Sequence, residues 1–421
     1  MYFINYPVKI LILTSYYPPL GASGQDARCQ NVAKALSAKR HRLQVLTSNY
    51  RLPPMGIQSD DGIYRELTLH GDHTDEELAA FSYKRAFALD LNNVTVLDER
   101  LSRFNPDLVL VWDTALLSKS LLKRLDQADV PVAYDLHSDY LFDESFARDP
   151  WQWWWQAQQS LGARFRRLCM TLTGARRRVL RKLPIYDPKN LDFSRAYIVS
   201  DSLKQSFVDE GFDTLVETPV IRAALGLQQF LTKTEYKSTG RFMWAGRLST
   251  GKAPDLVLAA VGLLKHAGVP VEVDIYGMGG PLERKAMRLS IYAAGLAECV
   301  KMVGIRPGEI IGHYSSYDAL LFTSRCSDPF PMTPLEAMLS GLPCILARDG
   351  GIQEVVTDGK TALLFERDNA EALAQAIRRF IAIPDSGRDI ATKCKESLQA
   401  TNSLDAYINR IEECLLPKAS S

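Results

Sequence analysis

The chain of 421 residues is 46% apolar and 24% charged, which describes a globular protein with ample core and room for two or three domains of about 150 residues. Its 50 Lys and Arg against 49 Asp and Glu leave a net charge of +1, which argues against a nucleic-acid coat built on a basic excess. No run of about 18 apolar residues is present to span a membrane, and Ile10–Leu13 is too short for the core of a secretory signal. The seven scattered cysteines (Cys29, Cys169, Cys299, Cys326, Cys344, Cys394 and Cys414) contain no CxxC pair. They read as reduced thiols of a cytoplasmic protein, not as a disulfide framework or zinc knuckle.

In chain order, continuous apolar runs at Val8–Ser15, Leu43–Ser48, Leu108–Asp113, Val130–His137 and Ala196–Ser202 predict strands covered on both faces, hence a parallel sheet. Helical periodicity falls over Gln25–Ala38. The polar stretch Gln228–Gly240 reads as a linker. A second block then repeats the grammar, with strands at Phe242–Leu248, Val271–Gly277, Val300–Ile305, Ala319–Ser324, Pro343–Ala347 and Ala362–Phe365. Helices are expected between them at Asp255–His266, Pro281–Ala294, Pro334–Ser340 and Ala370–Ile383. After a polar stretch over 384–405, Leu404, Ile408, Ile411 and Leu415 recur at helical spacing and predict a docked terminal helix. The fold class is therefore α/β, with two Rossmann-like doubly wound domains. They are expected over residues 1–225 and 226–403, with 404–421 packing back on the first.

Such domains bind ligands at the carboxyl ends of their strands, so the loops there carry the chemistry. Ser15–Gln25 holds Gly21 and Gly24 before a helix, where backbone can approach an anion; an ordinary βα loop reads equally well. Gly277-Met278-Gly279-Gly280 lacks the third glycine of a dinucleotide fingerprint and reads as a tight turn. Arg247 ends a strand and Lys252 opens the next helix, which suits a diphosphate clamp or, alternatively, a pair of solvated charges. In Ser327–Met338, Thr333, Pro334 and Glu336 match a capping box, while Asp328 and Glu336 bracket a polar loop suited to sugar hydroxyls. His137 closes a strand, as a sugar-facing donor or a core histidine. Asp-x-Asp, metal-spaced clusters, GxSxG and GxxxxGK[ST] are all absent.

Together these segments (YYPPLGASGQ, VAYDLH, WAGRLSTGK, DIYGMGG, VGIRP, SDPFPMTPLEAMLSGLPCI and DGGIQEVVTDGKTALLF) resemble the retaining glycosyltransferases of family 4, which share the two-domain GT-B fold. The resemblance implies an N-terminal acceptor domain and a C-terminal nucleotide-sugar domain facing across a cleft. It implies that Arg247 and Lys252 neutralise the donor diphosphate in place of a metal. Gly24 would approach the phosphates or transferred sugar, Glu336 would hold the ribose, and Ile305 would offer backbone to the base. Phe330, Pro331, Met332 and Thr333 would line the sugar and phosphate site beside Gly246 and Gly277, with His137 by the transferred sugar.

The chain departs from the family pattern at four places: Asp328 replaces a glutamate, Pro331 a glycine, Ser23 a glycine, and Arg222-Ala223-Ala224 an Asn-Gly turn. The expected reaction is metal-independent, front-face transfer of a sugar, by default from a UDP-hexose, to an acceptor hydroxyl that is a small molecule, glycan or lipid-linked. No cofactor or nucleic-acid partner is expected. The alternatives are an epimerase or phosphorylase of the same fold, or a non-catalytic partner subunit. Residues 151–182 combine four tryptophans with seven arginines and Lys182. They read either as a helical insert packed on the first domain or as a peripheral contact with the inner face of an anionic membrane.

Overall fold

The computed structural model describes residues 7–20, 24–52, 62–71, 82–142, 149–156, 161–226, 230–304, 309–401 and 403–416. They form two compact units. Met1–Ile198, Lys204–Ile221 and Ile408–Ser421 make the first; Val199–Leu203 and Arg222–Tyr407 make the second.

Up to the linker the chain runs β1 (Lys9–Thr14), α1 (Gly24–Ala38), β2 (Arg42–Ser48), β3 (Ile63–Leu67), α2 (Tyr83–Phe104), β4 (Leu108–Asp113), α3 (Ser120–Asp126), β5 (Val132–Leu136), α4 (Pro150–Gln156), α5 (Leu161–Leu172), α6 (Ala175–Lys182), β6 (Ala196–Ile198) and α7 (Asp201–Asp209). Strands β1 to β6 form one parallel sheet in the order β3-β2-β1-β4-β5-β6. Ile10 to Leu13 and Val109 to Val111 are wholly buried, the two-sided burial that their uninterrupted apolar runs call for.

Two elements here escaped the apolar pattern because they bury polar groups. Edge strand β3 carries Arg65, whose guanidinium donates to the carbonyls of Tyr17 (2.9 Å) and Pro18 (2.8 Å). Helix α2 starts where Ser82 accepts from the Arg85 N–H (3.2 Å) and buries Asp90 and Asn93. The Asn93 amide donates to the Thr68 carbonyl and the Ser118 hydroxyl, both at 2.8 Å.

The second sheet repeats the topology with β7 (Arg241–Arg247), α8 (Pro254–His266), β8 (Glu272–Met278), α9 (Pro281–Ala293), β9 (Val300–Met302), β10 (Ala319–Phe322), α10 (Met332–Leu339), β11 (Cys344–Ala347), β12 (Leu363–Phe365), α11 (Ala370–Ile381) and α12 (Arg388–Thr401). Its order, β12-β11-β10-β7-β8-β9, is again wholly parallel. Phe242, Trp244, Val257, Val261, Ile275, Leu321 and Ile377 anchor its core. Within the polar stretch 384–405, α12 forms because Ile390, Cys394 and Leu398 recur every four residues and are buried. The terminal helix α13 (Leu404–Leu415) bonds within the first unit through Glu412, which pairs with Lys39 and with His41 Nε2 (2.9 Å).

Strand order reverses once in each sheet, between β1 and β4 and between β7 and β10. Open α/β sheets place their ligands in the crevice beyond the strand ends at such reversals.

Candidate active site

In the second unit the loops after β7 and β10 meet beyond that reversal. The Thr323 hydroxyl, just past β10, accepts from the Trp244 indole N–H (2.9 Å) and lies 3.0 and 2.9 Å from the carbonyls of Lys252 and Ala253. The Arg325 N–H donates to the Gly251 carbonyl (2.8 Å), and its guanidinium forks onto Asp255 at 2.8 and 2.7 Å. These bonds hold the tight turn Thr250–Lys252, which ends at Ala253 in the left-handed region (φ 50°). Lys252 is thereby aimed, and its Nζ pairs with the Asp328 carboxylate. Each side chain is only 17% exposed.

Asp328 is fixed from the other side by two glycines after β11. The Gly351 N–H donates to the Asp328 carbonyl (3.0 Å). A Cβ on Gly350 would stand 2.3 Å from that carbonyl oxygen, and one on Gly351 only 1.8 Å from the Pro329 oxygen. No side chain fits there, which is why the segment reads Gly-Gly. The shorter arm of Asp328 thus reaches Lys252. Arg247, at the end of β7, is exposed, and among the described residues its guanidinium makes no ion pair. On β8, Met278 pairs in register with Arg247 and Gly277 with Gly246; a Cβ on Gly277 would come 2.6 Å from Leu248 Cδ2. Gly246 packs under the Trp244 ring, 3.3 Å from where its Cβ would be.

The start of α10 corrects the capping-box reading. The helix begins at Met332, Pro331 occupies the cap position, and no side chain caps it. Buried Phe330 and Pro331 set this entry, two residues ahead of the local Thr-Pro-x-Glu pattern. Of the four N–H groups a helix start leaves unpaired, prolines at 331 and 334 remove two. Those of Met332 and Thr333 remain, side by side, as the donors an anion can use.

Glu336, released from capping, accepts from the Tyr314 hydroxyl at 2.8 Å through Oε2. Burial pushes its carboxyl up to about 7 from an ordinary 4.5, against the opposing pull of that hydrogen bond. The folded chain therefore holds a proton that the unfolded chain releases between about pH 4.5 and 7. Its contribution to stability is full below that window and is lost as pH rises through it. The Tm of the wild type is expected to fall across this range relative to that of Glu336→Gln; parallel Tm–pH curves would contradict the assignment.

In the first unit, His137 follows β5, and its Nδ1 lies 2.7 Å from Asp135 Oδ1. Asp135 also receives a two-pronged bond from Arg28 of α1, at 2.9 and 2.6 Å, and both side chains are buried. The Arg28 guanidinium lies 4.2 Å over the Trp112 ring. Burial alone would raise the Asp135 carboxyl, but Arg28 and His137 override it and hold it at about 2. An ionised Asp135 favours a proton on Nδ1, which fixes the orientation of the ring. Gly24 is the first residue of α1. Sequence reasoning singled out His137 but missed Arg28 and Asp135. The available signal was Asp135 inside an apolar strand two positions from His137, hence on the same side of the backbone.

Ile305 lies outside the described residues, as does Ser23. The departure at Arg222 has a structural use: its Nε donates to Glu354 (2.9 Å), and its Nη2 also pairs with Asp201. Glu354 in turn accepts from the Ser202 N–H at 2.9 Å.

Two parallel six-stranded sheets of this topology, with cationic and glycine-rich loops at the reversal of the second, define the GT-B class of fold. Residues 232–397 match the family described as Glycosyl transferases group 1, and residues 23–191 match the Glycosyl transferase 4-like domain. The chain belongs to these glycosyltransferases. A D-inositol 3-phosphate glycosyltransferase of Corynebacterium urealyticum is 26% identical over 220 residues, which cover 48% of this chain and 52% of that protein. The chain thus spans about half the length of the curated relatives it matches, or less. Sucrose-phosphate synthase from Thermosynechococcus elongatus superposes with a TM-score of 0.69 at 18% identity, over 96% of this chain and 98% of that one. Anabaena HepE in complex with UDP-glucose does so with a TM-score of 0.67 at 18% identity, over 97% and 99%. At those identities the likeness speaks for the fold.

Proposed function

We propose that this protein transfers a sugar from a nucleoside-diphosphate donor, with a UDP-hexose as the first candidate, to an acceptor hydroxyl, with retention at the anomeric carbon. The observation that carries this reading is Lys252, locked by its turn and by Asp328 at the strand reversal, with exposed Arg247 ending the strand before that turn. Two cations there suit a diphosphate, and the N–H groups of Met332 and Thr333 supply further donors to its oxygens. As the bond to the leaving phosphate breaks, negative charge grows on that phosphate, and preorganised cations stabilise it without reorganising. The departing phosphate takes the acceptor's proton in a front-face displacement, and the cations do the work for which other transferases use a metal.

Glu336 is assigned to the ribose, where Oε1, the oxygen that does not bond Tyr314, accepts from a hydroxyl. Gly277 and Gly246 allow close approach of backbone. His137 and Gly24 are assigned to the transferred sugar, with Asp135 holding the His137 ring through Nδ1. HepE, which was crystallised with UDP-glucose, supports the choice of donor class.

A thermal-shift screen of UDP, GDP, ADP and TDP tests the reading. One diphosphate is expected to raise Tm, by an amount equivalent to about 2.7 kcal/mol at a hundredfold excess over Kd. Its effect is expected to shrink sharply in Arg247→Ala. No response to any of the four at millimolar concentration would contradict it.

A further inference from the structure

The four tryptophans and the arginines of 151–182 separate in the structure. Trp151, Trp154 and Trp155 are buried; Trp151 packs with Tyr83 and Phe87 of α2, Trp154 with Tyr83, and Trp155 edge-on against the other two, so α4 belongs to the core. Helices α5 and α6 do not. They form a hairpin around Gly174, which adopts the left-handed conformation (φ 70°). On α5, Phe165, Leu168 and Leu172 are 68%, 55% and 78% exposed. Their spacing of three and then four residues aligns them in one stripe.

That stripe points away from the body of the unit. Arg167, on the opposite side of α5, donates to the Trp155 carbonyl (3.0 Å), and Arg176 stacks 5.6 Å from the Trp155 ring. Around the stripe stand Arg164, Arg166, Arg177, Arg178, Arg181 and Lys182, all exposed, and no acidic residue occurs between 161 and 182. So many like charges with no carboxylate among them are not a solvated ion-pair surface. Crowding by Arg164 and Arg176, after burial, holds the Arg167 guanidinium below its ordinary value.

We infer that the hairpin α5–α6 is a docking surface for an anionic lipid membrane, with Phe165, Leu168 and Leu172 entering the acyl boundary and the arginines meeting the headgroups. Aliphatic and aromatic side chains on one face with a purely cationic flank are what an interfacial helix needs; nucleic acid would use the charges but has no need of the stripe. A basic residue near an anionic surface adds about fivefold to partitioning, and the apolar trio adds a contribution that salt does not screen. The inference does not rest on the transfer reaction.

The test is co-sedimentation of the full chain with vesicles of phosphatidylcholine alone or with about one-third phosphatidylglycerol, at low and high salt. The expected result is binding to the anionic vesicles only. F165S/L168S/L172S is expected to weaken it by about tenfold or more, and R177Q/R178Q/R181Q by a similar factor at low salt. Circular dichroism and an unchanged Tm establish that both variants are folded, since the altered side chains are exposed. The inference would be overturned by no binding at low salt, by undiminished binding of the serine variant, or by a serine-sensitive dimer in light scattering, which would assign the stripe to a second copy. Equal affinity for an anionic polymer without lipid would also reject a membrane in favour of a polyanion.

Discussion

Arg247→Ala is expected to lower kcat/KM by about 100-fold or more while leaving Tm nearly unchanged. The two halves of this expectation have separate causes. Arg247 is exposed at the end of β7 and makes no ion pair among the described residues, so its truncation removes little that holds the fold. In the proposed reaction it faces charge that develops only as the leaving group departs, and loss of one such preorganised donor costs about 2.7–4 kcal/mol of transition-state stabilisation. Lys252→Ala differs in kind, because it strips Asp328 of its partner in a partly buried site and should disturb the loop as well as the chemistry. Full activity of Arg247→Ala on a verified donor would remove Arg247 from the clamp.

Asp135→Ala is expected to destabilise the first unit by about 3–5 kcal/mol, the cost of depriving a buried guanidinium of its counter-charge. Arg28 is 1% exposed and Asp135 wholly buried, so water cannot replace the lost carboxylate. The corresponding fall in Tm is about 10 °C. The carboxyl is held at about 2 in the fold against 3.8 ordinarily, so its contribution is present above about pH 4 and lost as pH falls through about 2. Differential scanning calorimetry of the variant at neutral pH measures the first effect. A Tm within a degree or two of wild type would show that the pair does not carry the stability assigned to it. The same variant frees His137 Nδ1, which separates its role in orientation from that of the imidazole itself.

What was legible in the sequence follows from how locally each feature is encoded. Strands such as Leu108–Asp113 and Phe242–Leu248 declare themselves because their apolar runs, Leu108–Trp112 and Phe242–Ala245, are uninterrupted and buried. The edge strand Ile63–Leu67 and the helix Tyr83–Phe104 did not, because Arg65, Asp90 and Asn93 are buried polar residues satisfied by distant partners. The same reason explains the misread start of the helix at Met332. Thr333 and Glu336 match a local pattern, whereas the real partner of Glu336 is Tyr314, 22 positions earlier. Lys252 and Asp328 were each singled out separately, but their pairing spans 76 positions, and that of Arg28 with Asp135 spans 107. Motifs mark where chemistry-bearing residues gather, and only the fold shows which of them touch.

The central claim is retaining transfer in which side-chain cations, without a metal, neutralise the diphosphate. It is tested most directly by proton NMR of the purified protein with UDP-glucose, or whichever donor gives the largest thermal shift, in the presence of excess chelator. The predicted result is release of the nucleoside diphosphate and a first-formed product with the donor's own anomeric configuration, at a rate the chelator does not change. An inverted anomer, donor isomerisation without release of the diphosphate, or activity abolished by the chelator and restored by a divalent cation would contradict it.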